Sequence, residues 1–167
     1  MVHHPAVTVD VGLSAGELAS WRAFSEGGQL IEAMIDRRLK DGVGITHADY
    51  GILRRLQDAE EHRMSIRDLR HDVWFSRSRL THQLKRLEVD GLVTKSANAR
   101  DGRSQDVALT SEGLDVVTRA QRMVRALLRE HFFDQLAPGS VDVLSQTLQG
   151  MVSHLRAQPE CQVFRNS

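Results

Sequence analysis

What the chain lacks narrows its chemistry before any positive feature is read. Cysteine is almost absent: Cys161 is the single one, so neither an internal disulfide framework nor a CxxC metal site can form. The histidines His3, His4, His62, His71 and His131 are scattered without ligand spacing, and no metal site or cofactor is expected. No Ser/His/Asp arrangement, paired carboxylates or phosphate-cradling glycine loop appears, so the expectation is a protein that is not an enzyme. No apolar run approaches the roughly 20 residues of a membrane span. The start, MVHHPAVTVDVG, lacks both a cationic head and a continuous apolar stretch, so no signal peptide is read there and a reducing cytoplasm is the expected location. Repeats and low-complexity tracts are missing too. Net charge is also missing, with 22 Lys/Arg against 22 Asp/Glu.

That zero conceals an uneven distribution. Residues 63–103 hold ten Lys/Arg and five Asp/Glu, which leaves 12 basic and 17 acidic residues elsewhere. A locally basic face on an acidic body is the footprint of a nucleic-acid partner, although charge alone fits a solvated helix as well.

Within this basic stretch, Leu80, Leu84 and Leu87 mark one face of a helix. Ser76 caps it, and Gly91 stops it as a residue able to take positive φ. Two short apolar runs follow, Leu92-Val93 and Val107-Ala108-Leu109, joined by a polar loop rich in Arg and Gly. Helix, strand, basic loop, strand is the order of a winged helix. Upstream, Thr46 with Asp49 opens a helix carrying Tyr50, Leu53 and Leu56. Ser65 with Asp68 opens a short one carrying Ile66 and Leu69. A polar connection from Asp58 to Arg63 separates them.

Long amphipathic helices flank this unit. Ser14 caps the first, with Leu18, Trp21, Phe24, Ile31, Ile35 and Leu39 on its apolar side; Gly27-Gly28 is expected to kink or break it. Thr110 caps the fifth, striped by Val116, Val117, Ala120, Met123, Val124, Leu127 and Leu128. Pro138 is expected in the first turn of the last, which carries Val141, Leu144, Leu148, Met151, Val152 and Leu155. Left alone these stripes would face water, and a two-fold homodimer is the simplest way to cover them. The fold expected is mainly α (α+β): a winged helix-turn-helix with a helical dimerisation region built from N- and C-terminal helices. Its parts are a lead at 1–14, a dimerisation helix at 15–44, the DNA-binding lobe at 45–110, dimerisation helices at 111–157 and a tail at 158–167.

DGLVTK followed by ARDGRSQDVALTSEG resembles the signature of MarR-type regulators, whose wing carries an Asp-x-Arg pair and closes on Leu-Thr-x-x-Gly. Here these are Asp101 and Arg103, then Leu109, Thr110 and Gly113. HADYGILRRL, WFSRSRLTHQLKRLE, Trp21 and VRALLREHFFDQL are similar to one branch of that family, and the likeness runs from about residue 15 to 156. Three departures stand out: Arg70 where the family usually has Ala, Ala137 in place of a Ser or Thr cap before Pro138, and Gly27-Gly28.

The resemblance implies a sequence-specific regulator, a repressor by expectation, that binds a pseudo-palindromic double-stranded DNA operator as a homodimer. With Leu80 inward at ~100° per residue, Ser78 and His82 project almost opposite it, flanked by Arg79 and Thr81. Arg77, Ser78, Arg79 and His82 are the candidates for base edges, while Ser76, Thr81, Lys85 and Arg86 complete the DNA face, the last two toward the backbone. Arg100 and Arg103 lie on the wing. The resemblance sends the wing arginine into the minor groove with Asp101 orienting it, although the pair also serves simply to pin the loop. A small aromatic effector would sit against Trp21, Phe24, His47 and Tyr50, which core packing explains equally well. The alternative reading is a winged-helix module that binds protein without reading DNA.

Overall fold

A computed structural model describes residues 12–73, 75–97 and 105–159. In chain order the elements are α1 (Ala15–Val43), α2 (His47–Asp58), β1 (Arg63–Ser65), α3 (Ile66–Asp72), α4 (Arg77–Val89), β2 (Val93–Ala97), β3 (Gln105–Leu109), α5 (Ser111–His131) and α6 (Ser140–Ala157), with short 3-10 turns at Glu60–His62 and Phe133–Gln135. Helices dominate, and the strands form one antiparallel sheet in the order β1-β3-β2. The winged helix-turn-helix reading of the sequence is the architecture found.

Short polar side chains begin most of the helices. Ser14, Thr46, Ser65, Ser76 and Thr110 each accept the backbone N–H three residues on. At Ser14 and Thr46 an acid at that position returns the bond and completes a capping box. Helix α4 ends at Val89, and Gly91 beyond it takes φ +72°, where a side chain would be strained.

Leu53 and Leu56 of α2, Leu69 of α3, Leu80, Leu84 and Leu87 of α4, and Val93 and Val107 of the sheet meet in a single core. Helix α5 runs along α1 and α2 and adds Val117, Ala120 and Leu127. Helix α1 reaches this core only through its second half, where Ile35 and Leu39 are buried.

Three features differ from the sequence-based expectation. Helix α1 is continuous through Gly27-Gly28. Both glycines are exposed, and a Cβ on either would meet nothing, so no neighbour acts there to bend the helix. The connection after α2 contains the strand β1, whose Arg63, Met64 and Ser65 pair with Ala108, Val107 and Asp106. Pro138 precedes the last helix rather than opening it: Pro138 and Gly139 are the middle of a turn in which Ser140 N–H donates to the Ala137 carbonyl (3.1 Å), and α6 starts at Ser140. The apolar sides of the outer helices face water in a single chain, as the sequence implies: α6 buries none of its residues within the chain, and the first half of α1 leaves Leu18, Trp21, Phe24 and Leu30 exposed.

Candidate nucleic-acid interface

Helix α4 is seated by Leu80, Leu84 and Leu87, which are almost completely buried. That leaves Ser76, Arg77, Ser78, Arg79, Thr81, His82 and Lys85 exposed on its other faces. Two local bonds order its beginning: the Ser76 hydroxyl accepts from Arg79 N–H (3.3 Å), and the Thr81 hydroxyl donates to the Arg77 carbonyl (2.9 Å). The Arg79 guanidinium lies over the Phe75 ring, 4.3 Å from its centroid, a cation–π contact that fixes its direction without consuming its hydrogen-bond donors. Arg77, Arg79 and His82 thus stand exposed on the first two turns, the part that a helix of this kind inserts into a groove, with Lys85 one turn further on.

Arg86 does not belong to that surface. It is half-buried, and its Nη2 donates to Asp49 Oδ2 and to Thr46 Oγ1 (3.3 Å). Asp49 is 2% exposed, and the same Oδ2 accepts the Thr46 N–H (2.8 Å) and hydroxyl (2.6 Å). One carboxylate therefore caps α2 and anchors α4. The expected backbone-facing role of Arg86 gives way to a tether, because the nearest strong acceptor for its guanidinium is inside the protein. Periodicity missed the link because it joins residues 37 positions apart. No local pattern announces it, since the neighbours of Arg86 one turn away on the helix are His82, Gln83, Val89 and Asp90.

Arg100, Asp101 and Arg103 lie outside the described residues. The strands that carry the wing are described: β2 and β3 pair from Val93 opposite Leu109 to Ala97 opposite Gln105.

The expected effector set divides. Trp21 and Phe24 contact each other on exposed α1, ring centroids 6.0 Å apart. His47 and Tyr50 stack at 6.5 Å, and burial pushes the Tyr50 phenol above its ordinary pKa. A groove of about 750 Å³ runs between α1, α2 and the start of α4. His47 lines it together with Asp36, Arg55, Phe75, Arg79 and Gln83, whereas Trp21, Phe24 and Tyr50 do not. Asp36 ties two walls of this groove, since its Oδ1 accepts the His47 N–H (2.9 Å) while its Oδ2 holds Lys40 (2.7 Å). Those bonds, Lys40 first, hold the Asp36 carboxyl below its usual pKa. Among the described residues no group of three or more His, Cys, Asp or Glu is disposed to hold a metal ion, and no helix is long and apolar enough to cross a membrane.

A three-stranded wing, a capped helix seated by leucines and a basic outer face define a winged helix-turn-helix protein. The MarR family profile matches residues 45–105. Two solved structures from Streptomyces coelicolor superpose on nearly the whole chain. Sco3205, a MarR family transcriptional regulator solved in complex with DNA, has a TM-score of 0.82 and 31% identity over 89% of this chain and 92% of its own. AbsC, another MarR family transcriptional regulator, has a TM-score of 0.82 and 33% identity over 88% of this chain and 99% of its own. The HTH-type transcriptional regulator PrsX of Escherichia coli is 28% identical over 102 residues, covering 57% of this chain, which spans 61% of the PrsX length. The chain belongs to the MarR family of transcriptional regulators.

Proposed function

We propose that this protein is a transcriptional repressor that binds a pseudo-palindromic DNA operator as a homodimer, in the cytoplasm, and is released by a small aromatic effector. The observation that carries the reading is the exposed N-terminal face of α4, with Arg77, Ser78, Arg79 and His82 presented above a buried leucine seat. Arginine reads guanine through two parallel hydrogen bonds, and serine or threonine at the rim holds phosphates. We assign Arg77, Ser78, Arg79 and His82 to base edges and Ser76, Thr81 and Lys85 to the backbone. From the family resemblance we assign Arg103 to the minor groove, with Asp101 orienting it, and Arg100 to the DNA face beside them.

Support for two copies comes from α1 and α6. Trp21, Phe24 and Leu30 on one, and Val141, Val143 and Leu155 on the other, are each 45% or more exposed in a single chain. Covering them against a second copy gives residues 15–44 and 111–157 a dimerisation role, and leaves 45–110 as the DNA lobe between a lead at 1–14 and a tail at 158–167. Two lobes related by a two-fold axis read half-sites about one helical turn apart, roughly 34–36 Å. Support for effector release comes from the groove beside α4, because Arg79 lines it and also stands on the DNA face. An aromatic carboxylate bound there would meet Arg55 and Arg79, and would draw Arg79 away from the operator. Catalysis forms no part of this reading.

Binding to the protein's own promoter region, measured at two salt concentrations, tests the proposal. A sequence-specific complex whose log affinity falls steeply with log salt is expected. Equal binding to operator and unrelated DNA at low salt overturns it and leaves a protein-binding module. Arg103→Ala weakens the complex with the dimer intact; a monomeric Arg103→Ala protein refutes the wing assignment.

A further inference from the structure

On the flank of α4 away from the effector groove, a cleft of about 370 Å³ opens between α3, α4 and the sheet. Its rim carries Arg67 and Arg70 from α3, Arg77 from the start of α4 and Lys95 from β2, and its floor is apolar, with Leu80 and Leu84. No Asp or Glu is among the described residues that line it. Lys95 is compensated from outside the cleft, its Nζ lying 2.8 Å from Glu88 Oε2. The three guanidiniums have no ion pair among the described residues, and Arg70 Nε is buried without a hydrogen-bond partner.

Such an arrangement is costly in isolation. Like charges converge on one recess, and an unpaired buried N–H forfeits the hydrogen bond it made to water. An oxyanion with several acceptor oxygens relieves the convergence of charge, and guanidinium forks match phosphate geometry. The location identifies its source. Arg77 and Thr81 line the cleft and also belong to the exposed face of α4, so the occupant sits directly beside DNA lying on that face.

We infer that this cleft seats a backbone phosphate of the bound DNA, with Arg70 and Arg67 as its principal ligands; the inference rests on the DNA-binding reading above. The phosphate fixes the register of α4 on the duplex and carries no sequence information.

Arg70→Ala and Arg67→Gln test this by fluorescence anisotropy on operator and scrambled duplexes across a salt series. Arg67 is exposed, so its variant folds normally, and thermal melting checks the other. Each variant is expected to weaken operator and scrambled DNA equally, on the order of tenfold, and to reduce the slope of log affinity against log salt by about one per protomer. If both variants keep wild-type affinity and slope while Arg79→Ala loses operator binding, the cleft lies outside the interface and the inference falls alone. If the variants lose operator affinity but keep scrambled-DNA affinity, the cleft serves base reading and the inference also falls. Calorimetric uptake of inorganic phosphate that Arg70→Ala abolishes, with DNA affinity unchanged, reassigns the cleft to a free anion. A wild-type protein without salt-dependent DNA binding overturns the underlying reading instead.

Discussion

Replacing Asp49 with alanine removes two jobs held by one carboxylate. The first is the cap of α2, where Oδ2 accepts the Thr46 N–H (2.8 Å); losing the side chains of a cap costs about 1 kcal/mol. The second is the anchor of Arg86. A fully buried pair broken on one side costs about 3–5 kcal/mol, but the Arg86 side chain is 40% exposed and water recovers much of that, leaving about 1–2 kcal/mol. The total is about 2–3 kcal/mol, or roughly 4–12 °C in Tm for a chain of this size. Urea denaturation followed by circular dichroism measures it. A cycle with Arg86→Met, which keeps the side-chain stem, isolates the pair and should show a coupling of about 1 kcal/mol. DNA titrations add a second readout: because Arg86 is engaged internally, Arg86→Met lowers affinity by loosening α4 and leaves the salt slope unchanged. A coupling near zero, or a salt slope reduced by about one per protomer, would refute the tether.

Other consequences are checked more simply. A Cβ on Gly113 would lie 2.0 Å from the Leu92 carbonyl oxygen, which already accepts the Thr110 N–H at 3.1 Å. Gly113→Ala should therefore cost at least the ~1–3 kcal/mol of an overpacked site, seen as a lower urea midpoint. Asp36, held below its ordinary value of 3.8 by Lys40 and the His47 N–H, contributes stability that is complete above that value and lost as pH falls through its lower folded pKa. Asp36→Asn flattens this acid limb of a stability–pH curve, and an unchanged limb contradicts the assignment. Tyr50 behaves with the opposite sign: burial raises its phenol above 10.0, so its contribution is complete below that pH and declines as pH rises toward the folded value. Tyr50→Phe should remove this alkaline decline from the urea midpoint plotted against pH, while in the wild type the phenolate absorbance, which Tyr50 alone supplies, should have its midpoint above 10.0.

The features legible in the sequence are those decided over a few residues. A serine or threonine cap announces a helix start at Ser14, Thr46 and Ser65, with an acid read three positions on at the last two, and the leucine spacing of α4 announces its buried side. The misread features depend on distant partners. Glycine propensity at Gly27-Gly28 argues for a break, yet α1 continues through exposed positions where nothing presses on it. Arg63–Ser65 is too short and too polar to signal a strand, and only β3 makes it one. The tether of Arg86 and the basic cleft of Arg67, Arg70 and Lys95 are likewise products of packing. Trp21, Phe24, His47 and Tyr50 look like one aromatic set in the chain, but only His47 lines the groove beside α4.

The sheet order β1-β3-β2 also sets the sequence of events in folding. Strands β2 and β3 are consecutive and form a hairpin by local closure. Met64, by contrast, pairs with Val107, 43 residues later, with α3 and α4 both enclosed in the loop. Closing that loop carries an entropy cost that is repaid only once both helices have docked. Strand β1 is thus placed as the latch of the winged-helix unit, and its release is expected to accompany opening of the helix-turn-helix. Amide exchange in β1 should follow the lobe's global unfolding, and the outer end of the hairpin should exchange through faster local opening.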